Sequence, residues 1–270
     1  MVVQEPGLRY PDPRPAWFLA SRLKFAGGLA ILLLFYAVCF HFAQVDLGQL
    51  VDGLPRLARW AARAWPPDFA EAPALLVRAG ETVAMATLGT TLWVLIAAPI
   101  CLLASRNMAL HPALYYPARW VSNILRGIDS FVFALLFVAA VGLGPFAGVI
   151  GVGLHSAGTI AKLWSEAIEA VEPGPLDAAA VTGANRLKIF SFALLPDVLP
   201  SLTSTVLYVW EFNVRASTVL GLVGAGGIGQ ELKNSVDLLV FDRVFAILII
   251  IVAMVTIIDQ TSAWLRRRLV

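Results

Sequence analysis

The side chains best placed to do chemistry in this sequence are charged residues that interrupt long apolar runs. Glu211 and Arg215 stand four apart, one helical turn, so they can pair, while Asn213 between them faces another way. Arg126 and Asp129 are similarly placed at i and i+3, and Lys162 and Glu166 at i and i+4. An ionisable group at the centre of a bilayer costs about 2.5 to 3.5 kcal/mol even on the lenient insertion scale, so each needs a partner or water. Two uses of Arg126, Glu211, Asn213 and Arg215 stay open. They form structural pairs, or the two arginines, with permanent charge and several donors, face a polar route and lower the barrier for an anion. Lys162 and Glu166, near the end of their apolar run, read as structural.

Catalytic chemistry finds no constellation to carry it. His41, His111 and His155 are scattered, with no HExxH, CxxC or GxSxG arrangement beside them, and His155 next to Ser156 reads as a polar helix-packing pair. Without a Walker A loop, any ATP that is used must be bound by another chain. Gly224 to Gly229 spells GxGxxG, but there is no room for a strand, helix, strand unit around it. Glycines there suit a close-packed turn or re-entrant piece in which backbones approach each other. Cys39 and Cys101 both lie in apolar runs and give no disulfide framework.

The elements that must position these residues are membrane spans. With 59% hydrophobic and 14% charged residues, the chain lies far from soluble composition, where about a quarter of residues are charged. Residues 1–24, rich in Pro and Arg, read as a cytoplasmic tail that is disordered or lies at the headgroups. Residues 25–45 carry no formal charge and are long enough to cross as a first span. Residues 46–80 form an extracytoplasmic segment, either an interfacial helix or a plain loop, with Trp60 and Trp65 among Arg56, Arg59 and Arg63. Span two runs from Thr82 to Ser105, and the basic loop with Arg106, His111 and Arg119 puts its far end inside. The apolar stretch from Tyr116 to Lys162 holds spans three and four, turning at Gly142 to Pro145. Span five is expected at Val198 to Thr218 and span six at Phe241 to Trp264. Arg266 to Arg268 then anchor a basic tail, residues 265–270, at the cytoplasmic surface and have no use for nucleic acid. The fold class is therefore all-α, a polytopic membrane protein with six transmembrane helices and both termini inside.

Between spans four and five lies a polar island, Asp177 to Pro196. The breakers Pro173, Gly174 and Pro175 precede it, so Asp177 is expected in the first turn of a short helix, where it complements the dipole. Ala178, Ala179, Ala180 and Gly183 leave that helix a nearly bare face, suited to lying in another protein's groove.

The string D-A-A, three residues, Gly183, nine residues and then A-L-L-P to Pro196 resembles the cytoplasmic EAA loop of ABC-importer permeases. Asp177 stands where that pattern has Glu, and Ala193 where it has Ile. The resemblance extends through FVFALLFVAAVGLGPFAGV from Phe131, KLWSEAIEAVEPGPLDAAAVTGAN from Lys162 and LYVWEFNVRASTVLGLVGAGGIG from Leu207. Over about Thr82 to Trp264 the chain is similar to the permease subunit of bacterial phosphonate ABC importers. The resemblance implies a type I permease core at 81–264, whose loop 170–196 docks on an ATPase through Asp177, Ala178, Ala179, Gly183, Leu195 and Pro196. It further implies two ATP-binding subunits holding ATP and magnesium, with no cofactor in this chain. A second permease copy, a periplasmic phosphonate-binding protein and a place in the bacterial inner membrane complete the expectation. The same machine serves for phosphite or phosphate as the alternative; a membrane-embedded enzyme would need a catalytic cluster that the sequence lacks.

Overall fold

A computed structural model of the chain describes residues 16–44, 46–109 and 111–269. Its helices are α1 (Ala16–Phe42), α2 (Leu47–Arg63), α3 (Ala72–Leu103), α4 (Pro112–Gly127), α5 (Ser130–Val141), α6 (Pro145–Glu169), α7 (Pro173–Val181), α8 (Arg186–Ile189), α9 (Leu195–Leu220), α10 (Gly227–Asp237) and α11 (Phe241–Leu269). Five stretches are long and apolar enough to cross a membrane, and a sixth arises if the bent pair α4 and α5 is one broken span. The chain divides into two compact units, one ending at Arg59 and the other beginning at Trp60.

In the first unit, helix α1 starts at Ala16, so part of the expected tail is already helical, while residues 1–15 lie outside the described residues. Of the two readings for the segment after it, helix prevails. Asp46 initiates α2 by accepting hydrogen bonds from the Gly48 and Gln49 amides at 2.8 and 3.2 Å, which satisfies amides that the first turn leaves open. Leu50, Val51, Leu54 and Leu57 then fall on one exposed apolar face.

The second unit is organised around α3, α6 and α9. Helix α3 begins at Ala72, ahead of the Thr82 expected from hydropathy, and the charges at its start are paired: Arg78 with Glu81 at 2.9 Å, and the N-cap Glu71 with Arg243 at 2.9 Å. Helix α6 is the most enclosed, and small residues make that possible. A Cβ on Gly151 would lie 2.7 Å from the Ala134 backbone, and one on Gly158 would lie 2.5 Å from the Arg126 amide. Helices α5 and α4 thus run backbone-close to α6, the close approach that small residues permit in membranes.

Span three is not a continuous helix. It breaks at Ile128, which is extended (φ −98°, ψ 125°), and α4 and α5 meet at 85°. Asp129 becomes the N-cap of α5, its carboxylate accepting from the Phe131 amide at 2.8 Å. The expected Arg126 and Asp129 pair is therefore not made, since i, i+3 proximity requires one unbroken helix. The turn read at Gly142 to Pro145 is present, with Gly142 and Gly144 at φ 101° and 139°, a region open to glycine and strained for other residues. The Gly144 amide donates to the Gly224 carbonyl at 2.9 Å, joining this turn to the one that precedes α10.

The backbone contact at Gly151 yields a direct test. Gly151→Leu forces α5 away from α6 and costs about 3 kcal/mol, seen as a lowered melting temperature of the detergent-purified protein. Gly80→Ala, with nothing within 4 Å of the added methyl, leaves the melting temperature unchanged or slightly raised.

Candidate functional site

Where α3, α6 and α9 meet, Asn213 is fully buried. Its Nδ2 donates to Thr90 Oγ1 on α3 and to Ser156 Oγ on α6, both at 2.8 Å. The amide must face this way toward Thr90, because that hydroxyl already donates to the Ala86 carbonyl at 2.7 Å and has only lone pairs to offer. Trp210 Nε1 adds a donation to Thr87 Oγ1 at 3.0 Å, and Trp164 Nε1 one to the Leu202 carbonyl at 3.1 Å. Asn213 sits in the bundle core in this arrangement, on a different face from the charges that flank it in sequence.

Glu211 and Arg215 do pair, at 2.8 Å, but they are not alone. Arg266, from the basic end of α11, reaches the other carboxylate oxygen of Glu211 at 3.1 Å. One carboxylate thus serves two guanidiniums. The set retains a surplus positive charge, and Arg215 keeps nearly half its side chain exposed while Glu211 is 14% exposed. Arg268 stacks over the Trp264 ring at 4.1 Å, so Arg266 and Arg268 have separate tasks. Arg126, at the last turn of α4, is exposed and forms no ion pair among the described residues. Near it, His155 turns away from Ser156 and bonds the Ile128 carbonyl at 2.9 Å. Lys162 and Glu166 pair at 2.7 Å, as their spacing predicts.

The polar island takes a form partly unlike the one expected. Helix α7 starts at Pro173, so the proline and glycine run forms its first turn instead of preceding it, and Asp177 lies in the second turn. Proline suits that start because its missing N–H is one the first turn leaves unpaired anyway. No residue of α7 is buried; Asp177 and Ala178 are exposed and Ala179 is half-buried. Gly183 has φ 78° with open space around it, Leu195 is half-buried and Pro196 exposed. Val181, Leu187 and Phe192 are 89%, 71% and 81% exposed, an apolar surface that α7 and α8 leave uncovered. Beside α7 a cleft of about 710 Å³ is lined by Arg106, Asn107, Glu169 and Asp177, among others. Its far wall is stiffened by Glu169, which accepts from the Arg106 amide at 2.9 Å and pairs with Arg119 at 3.4 Å. A hydrogen bond to Tyr115, with Glu169 close by, raises the pKa of Arg106 further, so this guanidinium is a fixed charge.

Residues 81–270 match the family model described as the binding-protein-dependent transport system inner membrane component. The chain belongs to this family. It is an ABC-importer permease, an inner-membrane transport subunit and not an enzyme. Among its relatives, HtxC of Stutzerimonas stutzeri, assigned by name to a phosphite transport system, is 47% identical over 92% of this chain and 88% of its own length. The phosphite transport system permease protein PtxC of the same organism is 41% identical over 93% of this chain and 90% of its own. The inward-facing MetNI methionine ABC transporter has a chain of the same fold, with TM-score 0.64 and 24% identity, covering 74% of this chain and 99% of that one.

Sequence spacing missed two features of the permease. Arg266 as a partner of Glu211 is a contact between helices far apart in the chain, and its setting in a run of three arginines pointed only to the surface. The other is the network Arg78, Glu81, Glu231, Arg243 and Glu71, which ties α3, α10 and α11 together with contacts of 2.9 to 3.6 Å. Only its Arg78 and Glu81 pair had a readable signal, the i, i+3 spacing.

The shared carboxylate leads to an ordered expectation for the permease. Arg215→Ala lowers thermal stability little, because Arg266 still compensates Glu211. Arg215→Ala with Arg266→Ala leaves a partly buried carboxylate unpaired and costs about 3 kcal/mol. Adding Glu211→Ala to that pair recovers most of the loss; melting temperatures of the purified variants check the order.

Proposed function

We propose that this permease carries a small phosphorus oxyanion inward, with phosphonate as the first candidate. The observation that carries the reading is guanidinium charge left uncompensated at two places: Arg126 is unpaired among the described residues, and Glu211 offsets only one of Arg215 and Arg266, although span six also holds Asp259, with a buried and unpartnered oxygen. Such groups are tolerable in a membrane protein where they face water, a partner or an anion. Arg126 and Arg215 then line the route. Glu211 holds Arg215 in place, and Asn213 braces the helix that carries both. Phosphite is the second reading, favoured by the relatives whose names assign them to phosphite transport.

The permease does no chemistry. Two ATP-binding subunits, which hold ATP and magnesium, dock on the exposed α7 to α8 region through Asp177, Ala178, Ala179 and Gly183, with Leu195 and Pro196 anchoring its end. A second copy of the chain completes the membrane part, and a periplasmic binding protein delivers the oxyanion. Nucleotide binding moves α7 as a lever and switches the spans between two packings.

Uptake of labelled phosphonate by cells expressing the permease with its ATPase and binding protein tests the substrate. Competition by unlabelled phosphonate stronger than by phosphite or phosphate fits the first reading, and phosphite outcompeting phosphonate transfers the assignment to the second. No competition by any of the three overturns both. Docking has its own test: Ala178→Trp, at an exposed helical position free of the positive φ of Gly183, inserts and folds but loses ATPase co-purification and at least about nine-tenths of uptake. Normal co-purification and uptake by that variant refute the docking assignment. For sidedness, a cysteine label at Lys188 reacts from the cytoplasm and one at Asp68 from outside.

A further inference from the structure

A broken span leaves a backbone carbonyl without its helical partner, and in hydrocarbon that group must be satisfied within the protein. In span three the break falls at Ile128, between α4 and α5. The Ile128 carbonyl accepts from His155 Nδ1 at 2.9 Å. Since a carbonyl can only accept, the imidazole proton on this side is fixed on Nδ1, and Nε2 is left facing the Thr159 hydroxyl at 3.5 Å. Thr159 follows one turn after His155 on α6, so one edge of the ring meets its own helix and the other meets the break in span three. The ring also lies 6.4 Å from that of Phe212, at a tilt of 34°, on the helix that bears Glu211 and Arg215. His155 therefore touches all three parts of the region: the break, the most enclosed helix and the charge-bearing helix.

We propose that His155 is a positioning residue of the transport route: by holding the Ile128 carbonyl it fixes the angle between α4 and α5, and with it the place of Arg126. Arg126 is two residues before the bonded carbonyl, and its own amide lies against Gly158 of α6, so the end of α4 is held to α6 at two adjacent points. Asp129 cannot do this alone, because its carboxylate is spent capping α5 from within. The inference rests on the reading of Arg126 as a route residue only for its consequence in transport; the placement itself is a statement about the break.

The experiment combines two measurements that a purely packing role moves differently. In a background carrying Cys39→Ser and Cys101→Ala, the variant Arg126→Cys is labelled with a charged thiol reagent, alone and together with His155→Phe or His155→Asn. Phenylalanine keeps a ring but lacks the donor, whereas asparagine can place an N–H near that of Nδ1. The expected result is that His155→Phe changes the labelling rate at position 126 by roughly three- to tenfold, the scale of one lost hydrogen bond, and His155→Asn restores it to within about twofold. With Arg126 present, His155→Phe raises KM for phosphonate uptake by a similar factor and changes the maximal rate less. An unchanged labelling rate in His155→Phe overturns the proposal. A changed rate with unchanged KM upholds the placement by His155 and removes Arg126 from the route. Should His155→Phe fail to insert, the smaller His155→Ala decides instead: a labelling rate at position 126 changed by a similar factor upholds the proposal, and an unchanged rate overturns it.

Discussion

A buried amide in a membrane protein has no water to fall back on, and the Nδ2 of Asn213 meets that constraint by donating to two other helices at once, while its Oδ1 is buried without a partner among the described residues. Because Thr90 is committed to its own helix through Ala86, the Asn213 contact has a fixed direction and register. Sliding α9 along α3 by one turn would strand the Asn213 amide and break the Trp210 to Thr87 bond together with it. This polar contact sets the alignment, and the apolar clusters around Val198, Leu202 and Val209 on one side and Val214, Ile228 and Ile247 on the other fill the space so defined. Packing of small residues then does what the hydrophobic effect cannot do between helices in lipid.

Charges in the permease are arranged by the same rule with an added asymmetry. Near the ends of α3, α10 and α11, carboxylates outnumber guanidiniums, Glu71, Glu81 and Glu231 against Arg78 and Arg243. In spans five and six the ratio is reversed around Glu211. Structural pairs alone would call for balance in both places. The imbalance around Glu211 is the one on which the proposed anion route rests.

Much of the architecture was legible in the sequence because a bilayer demands long uncharged runs, and those runs mark spans two, four, five and six with little ambiguity. Glycines at 142 and 144 likewise announced a turn, and the D-A-A to L-P string read as the coupling element on which the proposed docking rests. What spacing could not give was continuity. Arg126 and Asp129 looked like a pair only on the assumption of an unbroken helix, and Asp129 has the competing use of a cap. Similarly, Pro173 looked like a barrier to a helix and was its first residue. The partners of Glu211 and Asn213 lie 55 and 123 residues away, beyond any local periodicity.

The hydrogen bond from Gly144 to Gly224 couples two turns that belong to different helix pairs. Added side chains at Gly221 and Gly229 would strike each other's backbone, so there is little slack on that side of the joint either. The ends of α5, α6 and α9 gathered there consequently travel as one rigid cap. Any motion that opens this end has to carry the cap as a unit, because the seam within it has no play with which to part.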